Sequence, residues 1–215
     1  MVDGTQIDYS FCIITDGKEP EKTLRLVASI RSQNIPEYEI LIGGDVHDEL
    51  ARATDKTVAM PEKARMGRLG AMRNALVREA KGNVLAVLDD DLVLHPDWYA
   101  GMVKYGDDFD VLACRILNPD GSRYWDWKIH IRGYNELVPY NETPRNISLT
   151  GGVCIARAAV LNSVQWDEQR GFYQLEDVDF TDRIKQAGFR IAFNPYSTTT
   201  HDAPYRQDGR FVVRC

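Results

Sequence analysis

Residues Asn83 to Pro96 constrain this chain more than any other stretch. Val84-Leu85-Ala86-Val87-Leu88 is a continuous apolar run of strand length, and it stops at three carboxylates, Asp89, Asp90 and Asp91. A run that is apolar on both faces suits a strand covered on both sides, as in the middle of a parallel sheet. Charge is tolerated only where such a strand emerges, so the acidic triplet marks its carboxyl end. In open α/β sheets that end faces the ligand crevice. Asp89 and Asp91, two residues apart in extended chain, project to the same side. Carboxylates that close repel unless positive charge lies near them, and a divalent cation that also carries a diphosphate resolves the conflict. A lone Asp-Asp-Asp is more simply an acidic loop; the surrounding segments decide.

The chain before this run reads β-α-β. Tyr9 to Thr15 is an apolar strand that breaks at Asp16-Gly17. Leu24, Val27, Ala28 and Ile30 recur at helical spacing, and that helix stops near Asn34, before Pro36. Tyr38 to Ile42 is a second strand, ending at Gly43-Gly44-Asp45. A nucleotide can lie across two such adjacent tips, with Thr15 and Asp45 reading base and ribose; Asp45 serves equally well as a turn cap. Val58 to Met60 is a short third strand. The segment from Lys63 to Leu76 is the most basic in the chain, and its second half is helical. Leu69, Met72, Ala75, Leu76 and Ala80 share a face, and Gly82 is placed as the C′ residue. A basic, glycine-containing loop entering a helix suits a diphosphate, with Arg68 and Arg73 as its side chains. A solvated face has the same composition.

Beyond the acidic triplet, Pro96 opens a helix to about Tyr105, Asp110 to Ile116 is a strand, and Asn118-Pro119-Asp120-Gly121 is a turn. Trp125, Trp127, Ile129 and Ile131 alternate with Tyr124, Asp126, Lys128 and His130, the pattern of a half-buried strand. Its two tryptophans offer either a stacking platform for a sugar ring or core packing. Residues Gly133 to Ser148 have no period and read as a long loop, such as a lid. Leu149 to Ala156 is a strand in which Gly151 and Gly152 allow a ligand close to the backbone. The second acidic cluster, Glu176-Asp177-Val178-Asp179, falls at or before the first turn of a helix bearing Phe180, Ile184 and Ala187 and closed by Gly188. Carboxylates there also suit the helix macrodipole. Phe189 to Phe193 is a last strand, and His201 stands by itself in a polar loop beyond Pro195.

At 215 residues the chain fits one domain with a substantial core. A formal net charge of -6 argues against non-specific nucleic-acid binding, and no apolar run approaches membrane-spanning length. Cys12, Cys114 and Cys154 sit in apolar strand-like runs and Cys215 lies far from them, with no C-x-x-C pair. Buried free thiols in a reducing compartment, the cytoplasm, are expected. Asn141-Glu142-Thr143 and Asn146-Ile147-Ser148 match the glycosylation sequon as chance loop matches.

Taken in order, these pieces form a recognisable set. Arg73-Asn74, Ala80 and Gly82 precede Leu88-Asp89-Asp90-Asp91, Pro96 and Trp98. Gly151-Gly152, Arg157 and Phe172 follow, then Glu176-Asp177-Val178-Asp179-Phe180 with Arg183, then Gly188 and His201. The chain resembles the GT-A nucleotide-sugar glycosyltransferases, in the group that includes cellulose, hyaluronan and chondroitin synthase domains. The resemblance implies an α/β fold with a Rossmann-like, mostly parallel sheet flanked by helices and a small acceptor-side subregion. It implies one domain, with residues 1–95 binding nucleotide and 96–215 binding acceptor. It also implies Mn²⁺ or Mg²⁺ held by Asp91, Asp89 and His201, with Asp89 nearer the ribose or a metal-bound water. One imidazole among oxygen donors tilts the choice toward Mn²⁺. Asp177 resembles the catalytic base of inverting relatives, with Glu176 positioning the acceptor. Thr15, Asp45, Arg68, Arg73, Asp89, Asp90, Gly151 and Gly152 would contact a UDP-sugar.

The chemistry implied is displacement of a nucleoside diphosphate by a hydroxyl of a carbohydrate or other acceptor. Arg68 or Arg73 and the cation would stabilise charge on the leaving phosphate, and Asp177 would take the hydroxyl proton. Thr15-Asp16-Gly17 lacks the Pro-x-x-Asn common in relatives after this strand, which leaves the exact base contacts open. Two other readings fit the same architecture. A sugar-phosphate nucleotidyltransferase would want a glycine-rich basic signature after the first strand, which Asp16-Gly17-Lys18-Glu19-Pro20 matches poorly. A non-catalytic carbohydrate-binding module would not need the acidic pair and His201.

Overall fold

The structure is a computed structural model and describes residues 8–131, 134–144, 146–171 and 174–202. Phe172 and Cys215, noted above, lie outside the described residues. The first half runs β1 (Tyr9–Thr15), α1 (Pro20–Arg31), β2 (Tyr38–Gly44), α2 (Asp48–Ala53), β3 (Lys56–Ala59), α3 (Pro61–Arg65), α4 (Leu69–Glu79), β4 (Val84–Asp89) and β5 (Leu92–Leu94). The second runs α5 (Trp98–Tyr105), β6 (Val111–Leu117), β7 (Lys128–Ile131), β8 (Tyr134–Leu137), β9 (Ile147–Ser148), β10 (Val153–Arg157), α6 (Ala158–Ser163), α7 (Glu176–Gln186) and β11 (Ile191–His201).

Eight strands form one sheet in the order β3-β2-β1-β4-β10-β6-β11-β5. β3, β2, β1 and β4 are mutually parallel, as are β6 and β11, whereas β10 runs against both β4 and β6 and β5 runs against β11. The sheet is α/β and mostly parallel, as the sequence suggests. Its central strand is not parallel on both sides, however: β4 has β1 on one flank and antiparallel β10 on the other. That reversal delivers the chain just before β10, Gly151-Gly152, to the carboxyl end of β4.

Both faces of the sheet are covered, which explains the absence of alternation in β1 and β4. Phe11 and Ile13 of β1 join Val84, Ala86 and Leu88 of β4 against Leu26, Ile30 and Trp98 on one face. Cys12, Ile14, Leu85 and Val87 pack on the other face with Met72, Leu76, Trp166 and Phe180. Cys12, Cys114 and Cys154 are buried free thiols. Among the described residues no helix is long and apolar enough to cross a membrane.

Several local expectations need correction. Residues 133–148 are not simply a loop: β8 and β9 flank β7 in a small antiparallel sheet, β8-β7-β9. The strand expected from Tyr124 begins only at Lys128, because Asp126 ties the preceding chain by accepting from Ile116 N, Arg123 Nε, Trp127 N and the Tyr140 hydroxyl. Trp127 is fully buried beside Phe193, so it is core rather than platform; Trp125 is half-buried. β10 begins after Gly151-Gly152 rather than containing them. α5 begins at Trp98, two residues past Pro96. Gly82 is not a left-handed C′ residue, since α4 ends in extended chain at Ala80. A Cβ on Gly82 would lie 2.5 Å from Ser10 N, so close backbone approach is what requires glycine there.

Candidate functional site

Asp89 is the last residue of β4, and the two carboxylates after it do not continue as extended chain. The backbone turns at Asp90 and Asp91, and the three side chains find three different partners. Asp89 Oδ1 accepts from Arg73 Nη2 at 3.0 Å, and its N–H donates to the Gly152 carbonyl at 3.0 Å. Asp90 Oδ2 accepts from the Thr15 hydroxyl at 2.5 Å, closing the gap between the tips of β1 and β4. Asp91 Oδ2 lies 3.4 Å from His201 Nε2. All three line a cleft of about 210 Å³ with Thr15, Asp16, Glu19 and Met72. The cleft sits where the strand order reverses between β1 and β4, the place where open α/β sheets bind ligands.

His201 is not in a loop. It ends β11, pairs with Leu92 of β5, and its ring stacks on Tyr124 at 4.3 Å. Burial pushes the imidazole below its ordinary value, Lys22 adding to the effect and Asp89 and Asp202 opposing it. Burial pushes Asp90 and Asp91 up to about 7, and neighbouring carboxylates add to this. The Thr15 hydrogen bond opposes the shift at Asp90, and the Lys22 charge opposes it at Asp91. These groups are short of positive charge.

Among the described residues no three His, Cys, Asp or Glu side chains converge as a ready-made metal cage. The donor set nevertheless fits a hard divalent ion. Asp91 Oδ1 is buried with no hydrogen-bond partner among the described residues, and an imidazole kept neutral stands beside its other oxygen. A cation there would use protein donors for part of its shell and leave the rest to phosphate and water.

Behind the cleft, Arg73 joins the two acidic motifs. It is 1% exposed and sits on α4. Its Nη2 bonds Asp89 Oδ1 and, at 2.8 Å, the Gly151 carbonyl, while Nη1 is 3.8 Å from Glu176 Oε1 and lacks a hydrogen-bond partner among the described residues. A Cβ on Gly151 would lie 3.2 Å from Glu176 Oε1, and one on Gly152 3.6 Å from Asp89 Oδ2. The two glycines thus let the backbone pass close against Asp89, Arg73 and Glu176. Burial pushes the Glu176 carboxyl up, with Arg73 opposing.

Glu176 and Asp177 open α7, as the sequence suggests. They are presented by Leu175, the only non-glycine residue at positive φ (56°) among the described residues. Asp177 Oδ2 accepts from Lys128 Nζ at 2.9 Å, and Oδ1 accepts from Val178 N at 2.9 Å. Two expected donor contacts lie elsewhere. Arg68 donates to the Gln169 carbonyl and does not line the cleft. Asp45 donates its N–H to the Thr15 carbonyl at 3.2 Å at the tip of β2, also outside the cleft lining. Glu19, Lys22, Tyr124 and Lys128 were not legible as site residues. Lys22 and Glu19 pair at 2.9 Å at the start of α1, a spacing common to any surface helix.

The sequence model of glycosyl transferase family 2 matches residues 10–164. No curated protein matches the sequence significantly. Among solved structures, GalNAc-T7 with UDP, GalNAc and Mn²⁺ superposes with a TM-score of 0.69 at 19% identity, covering 96% of this chain and 45% of that one. S. aureus TarS in complex with UDP-GlcNAc gives 0.59 at 17% identity, covering 96% of this chain and 62% of that one. This chain therefore spans about half the length of these solved chains, and their likeness establishes a shared GT-A fold. From the match over most of its length, the chain belongs to glycosyl transferase family 2.

Proposed function

We propose that this chain is a metal-dependent, inverting glycosyltransferase that moves a sugar from a UDP-sugar to a hydroxyl acceptor. The observation that carries the reading is the bridge made by Arg73. One buried guanidinium ties the cleft carboxylate Asp89 to Glu176, next to Asp177, and to the carbonyl of Gly151, where the chain comes close to both carboxylates. The fold neighbours crystallised with UDP, UDP-GlcNAc, GalNAc and Mn²⁺ support the ligand class.

In this reading the first half of the chain binds the nucleotide and the second the acceptor. The diphosphate would occupy the cleft beside Asp91 and His201, the residues that would hold Mn²⁺ or Mg²⁺, with Asp89 toward the ribose or sugar side. Bound there, the cation supplies charge neutralisation for the departing diphosphate. Arg73 cannot swing out to the phosphates without abandoning Asp89, so it holds Asp89 in place and offers its unpartnered Nη1 to a sugar hydroxyl. Glu176 accepts from the sugar or acceptor. Asp177 takes the proton of the acceptor hydroxyl as that oxygen attacks the anomeric carbon from the face opposite the diphosphate.

Incubating the protein with a panel of UDP-sugars, an acceptor mixture and Mn²⁺ should release UDP, and a chelator should suppress release. Release of pyrophosphate from a nucleoside triphosphate would favour the nucleotidyltransferase reading, and glycan binding indifferent to UDP and metal would favour a binding module.

A further inference from the structure

Lys128 belongs to a strand whose alternation predicts it on the wet face, yet it is 5% exposed. Its ammonium is spent on Asp177 at 2.9 Å, a pair whose side chains are 6% and 16% exposed. Burying a lysine charge is costly unless it is paired, so an interior Lys-Asp contact calls for a reason beyond stability. The geometry offers one. Lys128 sits on β7, the middle strand of the small sheet, while Asp177 sits in the first turn of α7. The chain leaving that sheet docks on α7 a second time: Leu149 N, just past β9, donates to Thr181 Oγ1 at 3.0 Å, and Thr181 Oγ1 in turn donates to the Asp177 carbonyl at 2.7 Å.

We propose that Lys128 is a positioning residue for Asp177, fixing one carboxylate oxygen and thereby locking the base to the acceptor-side sheet; this rests on Asp177 being the base. With Val178 N–H on Oδ1 and Lys128 on Oδ2, the carboxylate plane cannot rotate, and each oxygen keeps a lone pair for the incoming proton. The acceptor O–H bond breaks toward Asp177, its electron pair forms the bond to the anomeric carbon, and the carbon–oxygen bond to the diphosphate breaks with its pair leaving on phosphate. Lys128 touches none of these atoms and acts only through Asp177.

The test is a double-mutant cycle with Lys128→Met, Lys128→Arg, Asp177→Asn and the Lys128→Met/Asp177→Asn pair, with kcat and donor KM measured for each. Misplacing a catalytic group costs up to about 100-fold, so Lys128→Met should lower kcat by about 10- to 100-fold while donor KM stays within about twofold. Lys128→Arg should recover part of the loss, and Lys128→Met should cost nothing more once Asp177 is Asn. Equal losses in both backgrounds, or a donor KM that rises as kcat falls, would overturn the proposal and leave Lys128 a packing role. Should Lys128→Met fail to fold, Lys128→Arg decides: a lowered kcat with unchanged UDP affinity supports positioning, and an unchanged kcat refutes it. An Asp177→Asn variant that keeps kcat within about 10-fold of the wild type would instead remove the base reading itself, since a general base is worth about 100-fold or more.

Discussion

Arg73 shows how one side chain can be structural and functional at once. Its guanidinium is out of water between Asp89 and Glu176, so its desolvation is offset by those partners, by the Gly151 carbonyl and by the face of Trp166, 5.8 Å away. Truncation would leave two part-buried carboxylates facing each other without a cation. Arg73→Met should therefore cost about 3–5 kcal/mol, at the high end for a point mutation, because it breaks a buried pair rather than replacing both members. Urea denaturation checks this; a loss under about 1 kcal/mol would mean the pair is effectively solvated. The sequence pointed to Arg73 but misjudged its direction. A basic stretch entering a helix suggests phosphate binding, and only burial reveals which arginine turns inward and which, like Arg68, turns to a backbone carbonyl.

The helices and strands divide by how much of their environment is local. β1 and β4 were legible almost to the residue, because strands covered on both faces advertise themselves as unbroken apolar runs. β11 was not. Pro195 reads as a stop, but the strand passes it through a register shift between Asn194 and Thr198. Asn194 bridges the irregularity, with Oδ1 accepting from Tyr196 N at 2.9 Å and Nδ2 donating to Ser197 Oγ at 3.0 Å. That continuation carries His201 to the cleft, and no spacing in the sequence encodes it. β8 and β9 were hidden by prolines and asparagines, and the Lys128–Asp177 contact by the docking of that small sheet. Leu175 belongs to α7 in the same sense: its left-handed backbone turns the chain into the helix that bears Glu176 and Asp177. A leucine there is strained and 48% exposed. Leu175→Gly should gain about 1 kcal/mol in chemical denaturation by relieving that strain. A loss of stability would show that its side chain packs more than its exposure suggests.

Across the molecule, the cleft is a concentration of carboxylates that the proposed cation would neutralise. Asp90 and Asp91, raised by burial to about 7, sit above the ~4 of an unfolded aspartate. The fold favours their protonated forms, so their contribution is fully present below about pH 4 and is lost as pH rises through 7. His201 has the opposite sign: the fold favours neutral imidazole, and that contribution is lost as pH falls through and below its ordinary 6.5. Both trends make the cleft a better cation ligand at higher pH, because protons compete for the same donors. Thermal melts should show Mn²⁺ raising Tm more at pH 8 than at pH 5.5, relative to chelator at each pH. Equal shifts at the two values would place the ion somewhere other than this cleft.

The central claim is that a nucleoside diphosphate binds this cleft through a cation held at Asp91 and His201. Calorimetric titration of UDP into the wild-type chain and Asp91→Asn, each with Mn²⁺ and with chelator, addresses it directly. Mn²⁺ should tighten UDP binding to the wild type by about 10-fold or more, and the Asn variant should lose that gain, a difference of about 1.4 kcal/mol. UDP affinity indifferent to Mn²⁺ in the wild type, or an undiminished Mn²⁺ effect in Asp91→Asn, would contradict it.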